Sequence, residues 1–415
     1  MPFPLVLRVA APLAAAALVL AQAAAHAQVQ IAPARTLAEL KAEVQERADR
    51  KAYPVTGLDP ASVREALAHI NSLDRDEWAA AWSTIGAQRV AAAQAAEAAG
   101  RGKEASEAYL SAWRYYSFAR WPTPNSPGKV KAYALALEAF RKHTRFMDPA
   151  PQVVRIPFEG KEIVGYLRLP KATGPVPLVL TISALDSRKE EGVEQSDAYI
   201  QRGIATFALD MPGTGEAPVK GDVGAERMFS RALDYLAALP QVDAKRIAVQ
   251  GNSWSGYWAT KLAIVERARL KAVVAQAGPV HGYFTPEWQT KALGTREYLF
   301  DLLPARASVY GVETVDDFLA YGPRLSLVNE GLIDKPTPPM LVLNGVKDTQ
   351  VPIADLELLL RSGSAKDAWV NPAGTHMGRS AEWPDGRIFR EVVVPWMARQ
   401  LAAGGGAAAG GAGAE

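Results

Sequence analysis

The chain has no cysteine and only five histidines among its 415 residues. The first absence excludes disulfides, a cysteine nucleophile, iron–sulfur clusters and thiolate zinc sites. The second leaves a short list for any chemistry that needs an imidazole. Neither sign of charge is in excess: 46 Lys and Arg stand against 44 Asp and Glu, with no basic block. Nucleic acid and an anionic membrane surface are therefore not expected partners. There is no His pair at helical spacing and no acidic loop of the calcium-binding type, so the sequence asks for no metal and no cofactor. Long apolar runs are scarce as well. The run Val9–Leu20 is interrupted by Pro12 and falls short of the roughly 20 residues a spanning helix needs, so stable membrane insertion is not expected.

What that run does fit is an export signal. Arg8 precedes it, and Ala25-His26-Ala27 supplies small residues where signal peptidase cuts. Residues 1–27 thus read as a signal peptide removed before Gln28, which sends the chain to the periplasm or outside the cell. No Cys follows the run, so a lipid anchor of the lipoprotein kind is excluded. At the other end, residues 402–415 are an Ala/Gly tract that reads as a flexible tail.

Between these ends the hydrophobic period changes once. Residues 28–150 read as an all-helical cap region. Thr36 with Glu39 forms a capping-box pair, Asp59-Pro60 places Pro at a first helical position, and Ser126-Pro127 opens the last helix. An Ala-rich helix from about Arg75 stops at Gly100-Arg101-Gly102. From 151 to 401 short apolar runs alternate with helical ones. A hairpin is expected around Glu159-Gly160, then strands at Val176–Ile182, Ile204–Leu209, Ile247–Gln250, Ala272–Ala275, Met340–Leu343 and Ala368–Val370. This alternation predicts an α/β fold with a mostly parallel, doubly wound sheet. It lapses over residues 279–338, too long for a plain loop, which reads as a helical insertion forming a lid.

The sharpest local signal is Gln250-Gly251-Asn252-Ser253-Trp254-Ser255-Gly256, where a buried strand turns abruptly into a helix. A nucleophile elbow needs this context, with small residues two positions to either side of the serine. Gly251 and Ser255 flank Ser253 that way; moving the nucleophile to Ser255 would put Tyr257 at a crowded position. A serine hydroxyl also needs a base, and the base needs an orienting acid. Asp348 follows the strand and turn Met340–Lys347, and His376 lies in a Gly-flanked loop after the last strand. Both fall in the chain order that the elbow template requires. Asp355 and Asp367 are rivals for the acid, but neither sits at a strand's C-terminal end. His281 is the rival base and an alternative substrate contact. The backbone N–H of Trp254, with that of Ala184 or Leu185 after the third strand, would form the oxyanion hole. Asp186 beside them would be an auxiliary group. Ser187 and Glu190 match a capping box, which makes Glu190 structural. Asp210–Glu216 carries two glycines, but not the third that a nucleotide loop needs.

Residues 100–400 resemble a family of α/β-hydrolases that includes 2,6-dihydroxypseudooxynicotine hydrolase, fungal polyketide-shortening hydrolases and esterase-like bacterial members. The resemblance rests on Leu185–Glu191, on Asp210–Glu216, on the Ser253 elbow, on Asp348 and His376, and on Ala112-Trp113-Arg114-Tyr115-Tyr116. It implies triad roles for Ser253, Asp348 and His376. It also implies an acidic residue near the oxyanion loop, here Asp186, a residue type that the nicotine-degrading relatives tie to carbon–carbon cleavage beside a ketone. Ser183-Ala184 replaces the Gly-Gly usual before Leu185, and the export signal is unlike cytosolic relatives. The leading expectation is a secreted serine hydrolase acting on a carboxylic ester, with Tyr283, Phe284 and Trp288 in an aromatic lid. The alternative keeps the triad but cleaves a carbon–carbon bond in a β-diketone or polyketide-like compound. A second alternative, from the helix pairs at 75–147, is a catalytically inactive helical-repeat binding protein. Either enzyme reading takes a small-molecule ester or ketone, and all three are compatible with a homodimer.

Overall fold

The computed structural model describes residues 33–402. The expected signal peptide and nearly all of the Ala/Gly tail lie outside the described residues. Five helices come first: α1 (Leu37–Asp49), α2 (Pro60–Ala68), α3 (Arg75–Ala98), α4 (Gly102–Ala119) and α5 (Pro127–Thr144). The expected caps are in place. Thr36 and Glu39 form the reciprocal box, and Asp59 accepts from the Ser62 N–H at 2.9 Å. Such caps satisfy N–H groups that the first helical turn leaves without partners.

Eight strands then form one sheet in the order β1 (Gln152–Phe158), β2 (Lys161–Arg168), β4 (Ala205–Leu209), β3 (Val176–Ile182), β5 (Val242–Asn252), β6 (Leu270–Gln276), β7 (Met340–Gly345) and β8 (Asp367–Asn371). β1, β2 and β4 pair antiparallel, and all other pairs are parallel. The connecting helices are α6 (Lys189–Gln195), α7 (Asp197–Ile200), α8 (Arg227–Ala237), α9 (Trp254–Val265), α10 (Pro286–Leu293), α11 (Leu302–Tyr310), α12 (Val315–Tyr321), α13 (Ile353–Arg361), α14 (Asp385–Ile388) and α15 (Val394–Ala402).

The strand alternation divides the core. Leu178, Leu180 and Ile182 of β3 join Leu233, Trp258 and Leu262 on one face, while Val179 joins Val274, Leu343, Trp396 and Met397 on the other. Each such side chain contributes roughly 1.5–3 kcal/mol by leaving water, so the sheet is a rigid platform with its parallel strand ends held in register. The C-terminal helical stretch is divided by a wider turn at Phe389–Val393. Pro395 accounts for it, because a proline in the first turn of α15 cannot donate the backward hydrogen bond. Between β3 and β4 the chain forms two short helices, α6 and α7.

The N-terminal helices are fastened at two places. Trp113, Tyr116 and Phe140 pack on Tyr166, Val193 and Ala208 of the sheet region. Trp78, Trp82, Phe118 and Trp121 pack with Leu299 of the insertion. The insertion and the N-terminal helices therefore form a joint cover. Arg47 donates to the Glu297 carbonyl at 2.8 Å, and Arg75 grips both oxygens of Asp301 at 2.8 Å.

Candidate active site

β5 delivers Ser253 at the strand end, and α9 begins at the next residue. Ser253 has φ +54° and ψ −129°, a left-handed backbone strained for any residue but glycine. The turn is tight enough that a Cβ on Gly251 would lie 2.1 Å from the Ser255 carbonyl oxygen. Ser255 is fully buried; its hydroxyl accepts the Asn252 N–H at 2.9 Å and lies 2.9 Å from the Ile182 carbonyl. The serine that stands where the elbow usually has glycine thus ties the turn to the end of β3.

β7 and β8 deliver the other two groups. His376 Nε2 is 2.8 Å from Ser253 Oγ, and His376 Nδ1 is 2.8 Å from Asp348 Oδ2. The second oxygen of Asp348 accepts the Gln350 and Val351 N–H groups at 2.7 and 3.0 Å. Burial alone would push the Asp348 carboxyl up, but the His376 imidazole and those two N–H bonds hold it below the ordinary carboxylate range. The acid and base loops touch closely: a Cβ on Gly345 would meet the Gly374 and Thr375 carbonyls at 2.3 Å. Asn371 Nδ2 donates to the Gly378 carbonyl and Gln276 Nε2 to that of Met377, both at 2.8 Å, fixing the base loop.

The rivals have other work. Asp355 accepts the N–H groups of Val280 and Gly282 at 2.8 and 2.6 Å, anchoring the loop after β6. Asp367 accepts from the Trp396 indole at 2.6 Å. His281 pairs through Nδ1 with Ser326 Oγ at 2.7 Å and has no part in the Ser253 chain.

Of the three backbone donors anticipated for an oxyanion, two have no acceptor among the described residues: Trp254 and Leu185. The third is a correction. The Ala184 N–H donates to Ser187 Oγ at 2.7 Å and is not free to serve an oxyanion. Ser187 thereby turns back onto its own loop, so the expected capping box with Glu190 does not form. Glu190 is buried 3.3 Å from Lys189 Nζ, which also lies 2.8 Å from Asp210 and 2.7 Å from Glu216. The segments 185–191 and 210–216 are therefore joined by one buried ion cluster behind the site. Burial would raise the Asp210 carboxyl, but the Lys189 and Arg188 charges bring it below its ordinary value.

Asp186 is buried, and its carboxylate accepts the Trp121 indole N–H at 3.1 Å. The fully buried Arg120 donates to its carbonyl at 2.6 Å. Burial first, and then the nearby Asp186 charge, push the phenols of Tyr53 and Tyr298 well above their ordinary value. The Tyr298 ring stacks on Trp121 at 5.3 Å. Arg379 lies 5.3 Å over the Tyr53 ring and donates to the His376 carbonyl at 2.9 Å. Sequence reasoning missed Tyr53, Trp121, Tyr298 and Arg379, and no local pattern marks them. The aromatic lid is corrected too. Tyr283 and Phe284 are buried in the main core, 6.3 and 5.8 Å from Trp254, and support the elbow from behind. Trp288 donates to the Gln350 carbonyl at 3.1 Å, bracing the acid loop.

A doubly wound sheet that brings serine, histidine and aspartate together at its parallel strand ends has the architecture of an α/β-hydrolase. Comparison narrows this class. The family described as Esterase FrsA-like matches residues 44–373, and the chain belongs to it. Esterase FrsA of Vibrio cholerae serotype O1 is 30% identical over 271 residues, 60% of this chain and 63% of the relative. The alignment thus spans less than two thirds of that relative's length. Hydrolase LUC6 of a Fusarium species is 30% identical over 55% of this chain and 58% of its own. Among solved structures, 2,6-dihydroxy-pseudo-oxynicotine hydrolase superposes with a TM-score of 0.69 at 22% identity, covering 84% of this chain and 95% of that one. AbyA5 superposes with the same TM-score and identity over 88% and 95%. At that identity the two structures establish the shared fold alone.

Proposed function

We propose that the protein is a carboxylic ester hydrolase working through an acyl-enzyme on Ser253. The observation that carries this reading is the unbroken hydrogen-bond chain Ser253–His376–Asp348, with both links at 2.8 Å. Ser253 Oγ attacks the ester carbonyl while His376 Nε2 takes its proton. Asp348 holds Nδ1–H toward itself and stabilises the imidazolium. The Trp254 and Leu185 N–H groups receive the oxyanion; one such donor is worth on the order of 10²–10³ in rate. His376 then protonates the leaving alcohol. It next deprotonates a water that releases the acid and restores Ser253. Trp121, Tyr298 and Tyr53 around Asp186 favour aromatic or hydrophobic acyl groups over sugars.

The test is intact mass after a fluorophosphonate probe, on the wild type and on Ser253→Ala. One adduct on the wild type and none on the variant is the expected result. No adduct on either would sink the reading and favour a binding protein with an inert hydrolase fold.

A second reading, carbon–carbon hydrolysis next to a ketone by the same triad, is motivated by the buried Asp186 carboxylate directly after Leu185. Asp186→Asn separates the two: it cripples β-diketone cleavage and spares simple esters. From residues 1–27 alone we further propose that the enzyme acts after export. N-terminal sequencing of protein recovered from the periplasm or medium should begin at Gln28, and a chain still carrying Met1 in the cytoplasm would refute this.

A further inference from the structure

Residues Thr375–Arg379 form a closed turn that carries His376. The Thr375 N–H donates to the Arg379 carbonyl at 2.8 Å, and the Gly378 N–H to that of Thr375 at 2.9 Å. Inside this turn Met377 has φ +65°, a left-handed backbone that a residue other than glycine keeps only where its surroundings enforce it. The His376 carbonyl depends on a side chain. The Arg379 backbone N–H reaches it at a long 3.4 Å, whereas the Arg379 Nε–H reaches it at 2.9 Å.

The rest of the Arg379 guanidinium is engaged loosely. Nη1 lies 3.5 Å from Asp385, whose side chain is 40% exposed, and an ion pair of that kind contributes little in water. Nη2 lies 3.7 Å from the Met377 sulfur. Asn252, the residue before Ser253, brings its side-chain amide to the same sulfur, also at 3.7 Å. The guanidinium carbon stands 5.3 Å from the centre of the Tyr53 ring. Fixing a side chain with as many rotamers as arginine costs entropy. Among the described residues, its one short hydrogen bond falls on the backbone of the residue that serves Ser253 as base.

We propose that Arg379 is a positioning residue for His376. Its Nε–H fixes the His376 carbonyl and with it the left-handed turn, so that His376 Nε2 keeps its 2.8 Å reach to Ser253 Oγ. This rests on the triad chemistry proposed above. The agent is the donor at the Nε position, and three substitutions isolate it. Glutamine puts an amide nitrogen as many bonds from Cα as the arginine Nε. Lysine puts a methylene there and keeps a charge one atom further out. Methionine puts a methyl there and has neither donor nor charge.

The experiment is fluorophosphonate labelling of Ser253 in the full chain over a range of probe concentrations. It yields a maximal rate and a half-saturating concentration without any ester substrate. Arg379→Met should lower the maximal rate roughly tenfold, as a displaced base requires, and change the half-saturating concentration by less than about twofold. Arg379→Gln should recover most of that loss, and Arg379→Lys should not. Asp385→Asn, which removes only the long ion pair, should label at the wild-type rate. If Arg379→Met does not fold, the contrast between Arg379→Gln and Arg379→Lys decides. A wild-type rate in Arg379→Met, or rescue by lysine instead of glutamine, overturns the proposal. So does a change in half-saturation in place of rate, or slowing by Asp385→Asn as large as that by Arg379→Met. A wild type that takes no label removes the triad reading and this proposal with it, whereas a wild type that labels beside an unimpaired Arg379→Met removes this proposal alone.

Discussion

The sheet and its cover hold their important side chains in different ways. At the strand ends, Ser253, Asp348 and His376 are fixed by backbone geometry and by hydrogen bonds to backbone groups: a strained φ, two N–H bonds to Asp348, and base-loop carbonyls tied to Asn371 and Gln276. In the cover, Tyr53, Trp121, Tyr298 and Lys129 are placed by aromatic packing and ion pairs between segments far apart in the chain. In the proposed ester hydrolysis, chemistry that fails with a displacement of about an ångström falls to the rigid half. In the function we propose, recognition, which can change without rebuilding the reaction, falls to the half assembled from adjustable contacts.

If the two halves differ in this way, substitutions should separate rate from stability. The largest effect belongs to Asp348→Asn, which should lower kcat by roughly 10⁴-fold with little change in KM, as expected when the base loses its orienting acid. Steady-state kinetics on a chromogenic ester check it. The same variant has a pH signature. Asp348 is held below its ordinary value when folded, so its stabilising contribution is present above the ordinary carboxylate pKa and lost as pH falls through the depressed one. Thermal melts should show the wild type losing more stability than Asp348→Asn as pH drops from about 5 toward 3. In the cover, Asp301→Ala strands the buried Lys129 and should cost about 3–5 kcal/mol in urea melts. Probe labelling of Ser253 in the folded fraction should nevertheless persist. Complete loss of labelling in folded Asp301→Ala would break the division.

The same division governs what could be read from the residues. The elbow, the acid turn and the base loop were legible because each is a contiguous strand-to-loop pattern, and their chain order follows from the sheet. The first-turn caps at Thr36, Asp59 and Ser126 were legible for the same local reason. The Ala184 N–H was not, because its partner depends on which way the Ser187 hydroxyl turns. Nor was the surrounding of Asp186, where Trp121 arrives from 65 residues away. Tyr283 and Phe284 have the composition of a lid and the burial of a core, and only packing distinguishes the two.

A smaller effect is expected inside the rigid half itself. Gly251→Ala would place a Cβ 2.1 Å from a backbone oxygen, and α9 must shift to accommodate it. Overpacking of this kind costs typically 1–3 kcal/mol, and because the shift moves Ser253, kcat should fall with stability. Ester kinetics and a melt on the same sample check both. Normal kcat despite a lowered Tm would mean that the elbow tolerates more movement than its backbone strain implies.

The smallest predicted effect lies where the halves meet. Trp288 belongs to the insertion, but its indole N–H is donated to Gln350, whose own N–H holds Asp348. Trp288→Phe keeps most of the ring volume and removes only that donor. A single hydrogen bond of this kind is worth about 1 kcal/mol, so Tm should fall by a few degrees. Other contacts secure the same loop, among them the Val351 N–H to Asp348, and Arg306 to the Gln350 side chain at 2.8 Å. With those intact, Asp348 keeps its place, and kcat should change by less than the stability loss would suggest. A large kcat drop in Trp288→Phe would show that the cover positions the acid, and the boundary between reaction and recognition would have to be redrawn to include the insertion.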